Sequence, residues 1–239
     1  MLKRVLTIFI IVISLSLTAQ HKPFQFGFKA GANIGWFNTS ADDYKNIGTN
    51  FGGSWGFVAD FFIMENYSFT TGFDVLYLNG TMSYPDISDE LNVVIIDTMS
   101  VLMHEIGVQQ RNYRTKYIKL PLIFTMKTNK IKKLRYYGQI GFGLSFLLTA
   151  KANDEFTSNS GGDVESESTN IYDELRFTRE SLILGAGIEI PLQGSTYFRI
   201  GLTYDNAFVN ILKGDNPVDN SVKNNGRNSF LEFDVSILF

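Results

Sequence analysis

The sequence predicts an all-β protein, an eight-stranded antiparallel up-and-down transmembrane β-barrel with long extracellular loops. Three observations predict it. Apolar residues recur at every second position through eight separate stretches. The charges of those stretches, and their glycines, gather on the face opposite the apolar residues. The connections between stretches alternate between short and long.

Composition agrees and removes other classes. The 239 residues are 44% hydrophobic and 19% charged, with 21 glycines and no cysteine. Disulfide scaffolds and cysteine-ligated metal sites are excluded. A net charge of −3 speaks against a basic nucleic-acid-binding domain, and no nucleic-acid partner is expected. The apolar content, spread along the chain, excludes disorder. Mean hydropathy is nonetheless +0.00, as expected when strongly apolar and strongly polar faces are averaged.

The N-terminus reads as an address. Lys3 and Arg4 precede an apolar run from Val5 to Ile13 that continues to Leu17, followed by small residues at Thr18 and Ala19. This is the pattern of a secretory signal peptide over residues 1–19, cleaved after Ala19. The run is short for a membrane helix, which needs about 20 residues. Residues 20–239 then form one barrel domain.

The strands follow in order. Phe26, Phe28, Ala30, Ala32, Ile34 and Trp36 alternate with Gly27, Lys29, Gly31, Asn33 and Gly35. Next come Trp55, Phe57, Ala59, Phe61 and Ile63, opposite Ser54, Gly56 and Asp60. In the third, Phe69, Phe73, Val75 and Tyr77 oppose Gly72 and Asp74, while Leu76 and Leu78 fall on the polar side. The fourth sets Ile118, Leu120, Leu122, Phe124 and Met126 against Tyr117, Lys119, Pro121 and Thr125.

The fifth sets Tyr136, Ile140, Phe142, Leu144, Phe146 and Leu148 against Arg135, Gln139, Gly141 and Gly143. In the sixth, Leu182, Leu184, Ala186, Ile188 and Ile190 oppose Ser181, Gly185, Gly187 and Glu189. Phe198, Ile200, Leu202 and Tyr204 then oppose Arg199, Gly201, Thr203 and Asp205. The last strand has Leu231, Phe233, Val235, Ile237 and Phe239 opposite Glu232, Asp234 and Ser236.

Period two alone does not say which face points inward, and a soluble lipocalin-like barrel would reverse the assignment. Glycine decides it. On a water-exposed face glycine only weakens a strand, whereas a narrow barrel interior needs the room it leaves. A lipid-facing Lys or Arg near the midplane would cost about 2–4 kcal/mol, which explains a charge-free apolar face. Trp36, Trp55, Tyr67, Tyr77, Tyr113, Tyr136, Tyr197 and Tyr204 gather near strand ends, as in interfacial girdles. The predicted interior charge network is Lys29, Asp60, Asp74, Lys119, Arg135, Glu189, Arg199, Asp205, Glu232 and Asp234.

Short connections at 65–66, 127–133 and 191–195 alternate with long ones at 38–51, 79–112, 150–176 and 206–228. Short turns mark the periplasmic end of such barrels and long loops the extracellular end. In the second long loop, Val93–Asp97 and Val101–Val108 form a further hairpin, read as an extension above the membrane; the competing count is ten strands. Pro121 lacks the N–H of an interior ladder position, so a bulge or an open pairing is expected beside it.

The rest of the chemistry is sparse. Only His21 and His104 are present, and an acid–base pairing of His104 with Glu105 would be the sole basis for an envelope enzyme. No catalytic site, cofactor or metal site is predicted. The third long loop carries Asp154, Glu155, Asp163, Glu165, Glu167, Asp173 and Glu174 without a basic residue from 152 to 175. It reads as a hydrated loop, with a divalent cation or a basic partner as the alternative. Lys127, Lys130, Lys132 and Lys133 crowd one short turn, where acidic lipid headgroups or a periplasmic partner would meet them.

The chain resembles the PorT-like outer-membrane β-barrel family, often labelled porin-family proteins. The resemblance rests on Phe26–Asn33, on Tyr117-Ile118-Lys119-Leu120-Pro121-Leu122, on Gly138–Gly143 with Leu147–Lys151, and on the C-terminal Phe233, Val235, Ile237 and Phe239. Lys119 departs from the family pattern, in which a carboxylate is common there. The resemblance implies an eight-stranded barrel inserted in the outer membrane, its C-terminal residues read by barrel-assembly machinery. The expected function is a non-enzymatic envelope role, structural or partner-binding and connected with secretion or assembly; the alternative is a small passive channel. Expected partners are outer-membrane lipid, the assembly machinery and envelope proteins of unknown identity.

Overall fold

The computed structural model describes residues 23–96, 99–159, 163–165 and 168–239. The expected signal peptide, residues 1–19, lies outside them. The strands are β1 (Phe24–Asn38), β2 (Lys45–Met64), β3 (Tyr67–Ile96), β4 (Met99–Lys127), β5 (Arg135–Ser158), β6 (Asp163–Glu165), β7 (Thr169–Asn170), β8 (Thr178–Pro191), β9 (Tyr197–Ala207) and β10 (Arg227–Leu238). Eight of them close a ring in the order β1-β2-β3-β4-β5-β8-β9-β10, with β10 returning to β1. All pairings are antiparallel. β6 and β7 are short additions on β5.

The ring forms because every long strand has one face that lipid accepts and one that the lumen accepts. Phe28, Trp55, Phe142, Leu202 and Phe233 point outward and remain about half exposed. Their neighbours on the other parity, among them Asp60, Asp74, Lys119, Arg199 and Glu232, are buried. On β4 the outward apolar series runs from Met126 to Ile118, which matches the 9–11 residues that cross a bilayer at a strong tilt. It ends at Lys116, whose ammonium sits 5.3 Å from the centre of the Tyr77 ring.

The 93–108 hairpin adds no staves. It continues β3 and β4, whose pairing runs from Tyr67↔Met126 to Ile96↔Met99, with an opening beside Pro121 and one register shift between Ile87 and Leu91. β4 also pairs with β5 as far as Gly107↔Ser158, so the segment beyond stands clear of the ring. Residues 79–112, expected as a loop, are therefore mostly strand. Interruption of the apolar face marks the end of the lipid band here, and the ladder continues past it.

The β3–β4 ladder opens beside Pro121. Paired positions stop at Thr70↔Ile123 and resume at Asp74↔Lys119 in the same register. On its other side Pro121 still faces Gly143 of β5. The missing N–H thus removes pairing on one side only.

Candidate functional site: the filled lumen

The lumen is filled in two layers. At the short-turn end, two carboxylates and two cations interlock. Asp60 pairs with Arg199 at 2.6 Å and Lys127 at 2.8 Å. Glu189 pairs with the same Arg199 at 2.6 Å and Lys127 at 2.9 Å. Thr70 donates its hydroxyl to Asp60 at 2.5 Å. Lys127 lies 4.9 Å from the Phe62 ring centre and Arg199 4.9 Å from that of Tyr137. The Tyr137 ring crosses Gly187 and Gly201, where an added Cβ would collide with its hydroxyl. That is the room the glycines leave.

A second charged group sits mid-barrel. Lys29 reaches Glu232 at 2.7 Å and Asp74 at 3.6 Å. Lys119 bridges Asp74 and Asp205 at 3.9 and 3.5 Å. Arg179 pairs with Asp205 at 2.7 Å and donates to the Asn228 side chain and carbonyl. Phe230 lies under both Lys119 and Arg179. Asp234 accepts a hydrogen bond from Thr203 at 3.2 Å. Ions buried this deeply require such partners, because an unpaired charge out of water costs several kcal/mol.

A cavity of about 40 Å³ lies between the groups, lined in part by Thr70, Asp74, Lys119, Arg199 and Asp234. It has room for roughly two or three waters.

Above the charges, toward the long loops, the filling becomes apolar. Phe37, Leu76, Leu78, Tyr117, Leu147 and Phe230 form a buried cluster. Ile171 and Leu175 from the β7–β8 connection, and Ile211 and Leu212 from the β9–β10 connection, fold down onto it. The doubtful parity of Leu76 and Leu78 resolves here: both face inward and are buried. Their partners come from loops far away in sequence.

The mouth is held by polar contacts. Tyr44 stacks on Tyr84 with ring centres 5.1 Å apart, donates to Asn224 at 2.5 Å and accepts from Asn216 at 3.0 Å. Burial pushes both phenols above the usual tyrosine value. Arg111 grips Asp154 with two hydrogen bonds of 2.7 and 2.6 Å and reaches Glu174 at 2.5 Å. Burial alone would lower the Arg111 pKa, but the Asp154 hydrogen bonds raise it above its usual value. The acidic loop is thus tied down at Asp154 and Glu174, a correction to its reading as simply hydrated. The side chains of Asp163, Glu165 and Glu167 lie outside the described residues. Among the described residues, no three potential ligands gather for a metal ion.

Of the ten predicted interior residues, nine are brought together in the lumen. Arg135 is not among them: it lies at the short-turn rim, partly exposed, and donates weakly to the carbonyls of Thr128 and Glu65. Its strand parity is inward, but the barrel ends at its level. Sequence reasoning missed Lys127 and Arg179. Lys127, grouped with the turn lysines, is instead the fully buried last residue of β4. Each continues its strand's inward parity by two residues, past Thr125 and before Ser181, and that periodicity was the available signal. His104 donates Nδ1–H to the Ser88 carbonyl at 2.6 Å, and Glu105 is bound by the Ser158 hydroxyl. The two side chains therefore bond separately.

Similar folds occur among solved structures. Neisserial surface protein A is 14% identical over 91% of this chain and 98% of its own, with a TM-score of 0.43. Ail of Yersinia pestis, in complex with the heparin analogue sucrose octasulfate, is 14% identical over 91% of this chain and 100% of its own, with a TM-score of 0.39. OprG of Pseudomonas aeruginosa is 8% identical over 91% of this chain and 96% of its own, also with a TM-score of 0.39. No curated protein matches. The family model described as "Outer membrane protein beta-barrel domain" matches residues 18–213. That span covers most of the chain, which therefore belongs to the outer-membrane protein β-barrel family and resides in the outer membrane.

Proposed function

We propose that this barrel does not conduct and that it serves the envelope as a structural or partner-binding protein, without enzymatic activity. The observation that carries this reading is the double filling of the lumen, ion-paired at the short-turn end and apolar at the long-loop end. A water-filled path would have to break both. What remains available to partners is the outer surface: the β3–β4 hairpin and the loops that cap the mouth. Planar-bilayer recording on refolded protein tests it. Current at the level of protein-free bilayers is expected, and a steady open conductance overturns the reading in favour of a small passive channel.

Residues 1–19 act as a cleaved signal peptide, Phe233, Val235, Ile237 and Phe239 present the C-terminal signal to barrel-assembly machinery, and the chain falls within the PorT-like branch, with a role in secretion or assembly. Mass spectrometry of the mature protein should find Gln20 at its N-terminus.

A further inference from the structure

We infer that the outward face of β4 and β5, at the extracellular edge of the lipid band, binds the phosphorylated headgroup of an outer-leaflet lipid. The residues are Arg114, Lys116 and Lys151. Arg114 and Lys116 occupy the first two outward positions of β4 beyond the apolar series that ends at Ile118. Lys151 lies directly across from Arg114 in the β4–β5 ladder. Like charges directly opposite on neighbouring strands repel and destabilise a sheet. Among the described residues, none of the three has a carboxylate within ion-pair distance.

Among the described residues, the immediate neighbours supply no compensating charge. Asn79 of β3 faces Arg114 on its other side, and Asn170 of β7 faces Lys151. The next carboxylate along the outward side of β5 is Glu155, with Asn153 between. By contrast, the inward cations of β4 itself are paired: Arg111 with Asp154, Lys119 with Asp74 and Asp205, Lys127 with Asp60 and Glu189. A triad left unpaired where β4 pairs its inward cations fits an anion supplied from outside.

Its position says which anion. The triad sits where the apolar band gives way to polar residues, with Tyr77 beneath Lys116 at interfacial depth. A lipid phosphate held there would join two strands by charge-assisted hydrogen bonds. The acyl chains would meanwhile run down the face formed by Ile118, Leu120 and Leu122.

The test compares refolded wild-type protein with a variant carrying Arg114→Gln, Lys116→Gln and Lys151→Gln, and with a turn control carrying Lys130→Gln, Lys132→Asn and Lys133→Gln. Native mass spectrometry from detergent reads retention of diphosphoryl lipid A and of phosphatidylcholine. The triad variant should lose lipid A retention at least fivefold, with phosphatidylcholine retention unchanged and the turn control resembling wild type. Equal retention in triad variant and wild type overturns the inference. So does an equal loss in the turn control, or displacement of lipid A by millimolar inorganic phosphate, which would mark a site for the free anion. If the triple variant fails to fold, the single Lys151→Gln variant decides the matter: lipid A should raise the wild-type Tm more than that of Lys151→Gln. Equal increments overturn the proposal.

Discussion

Gly72 of β3 lies opposite Pro121 of β4, at the centre of the stretch where the ladder between those strands opens within the lipid-spanning part. The register on either side is the same. Gly72 has a φ of +152°, a conformation side chains rarely adopt, and an added Cβ would run into the Phe57 carbonyl oxygen. Proline removes the hydrogen bond and glycine supplies the backbone shape that fills the gap. Gly72→Ala should therefore destabilise the barrel by about 1–3 kcal/mol. Pro121→Ala should change stability by less than about 1 kcal/mol, since the position already lacks a partner across to β3. Urea unfolding in detergent compares the two, and an equal loss would contradict this account.

The clamp at the short-turn end makes a sharper prediction. Asp60→Ala leaves Arg199 and Lys127 sharing Glu189 alone, in a site where all three side chains are buried. The expected loss is about 3–5 kcal/mol, the range for breaking a buried pair from one side. Arg135→Gln, at the partly exposed rim, should cost less than about 1 kcal/mol. The contrast separates the lumen network from residues that merely share its parity.

Two layers should close the barrel redundantly. Leu76→Ala opens a hole in the apolar layer and should cost about 2–5 kcal/mol. It should still leave bilayer current at baseline, because the Asp60–Lys127–Glu189–Arg199 group below is untouched. Persistent single-channel steps in Leu76→Ala would show that the charged layer does not seal.

The mouth should respond to alkali. Tyr44 and Tyr84 have folded-state pKa values above the usual 10.0 because burial disfavours the phenolate. A raised value means the folded cap keeps protons that the opened cap releases. Its stability is thus intact below pH 10 and declines as pH rises past 10. Limited proteolysis of the β9–β10 connection should accelerate above pH 10 in wild type. Tyr44→Phe should blunt that acceleration while weakening the cap at neutral pH, through loss of the Asn224 and Asn216 contacts.

A clip of a different kind joins β4, β5 and the turn at Tyr172–Glu174. Arg111→Ala frees Asp154 and Glu174 together. The expected result is faster proteolysis between 159 and 176 with little change in global unfolding, since the ring ladder does not depend on that contact. Hydrogen exchange at Ile171 and Leu175 would register the same loosening.

Much of this architecture was legible in the chain. Strand parity is a local property, so the outward Phe28, Trp55 and Phe142 and the inward Asp60, Lys119 and Arg199 follow from period two and from the cost of charge in lipid. Alternating connection lengths likewise predict which end carries the short turns. Arg135 went astray because parity gives direction and not depth, and the lumen ends where it sits. Lys127 and Arg179 were missed for the converse reason: each is the next inward position beyond the stretch where the apolar alternation is read, past Thr125 on β4 and before Ser181 on β8.

The sequence by itself determined the two faces of the strands and the membrane they suit, because each strand carries its own pattern, whereas the choice of eight staves over ten came from the β3–β4 pairing. Only the tertiary structure decided how the lumen is filled. Ile171, Leu175, Ile211 and Leu212 reach Leu76 and Phe230 from distant connections, and Arg199 meets Asp60 across 139 positions of chain. Such contacts exist only once the ring closes, when inward groups from all eight strands share one narrow space and must neutralise or cover one another.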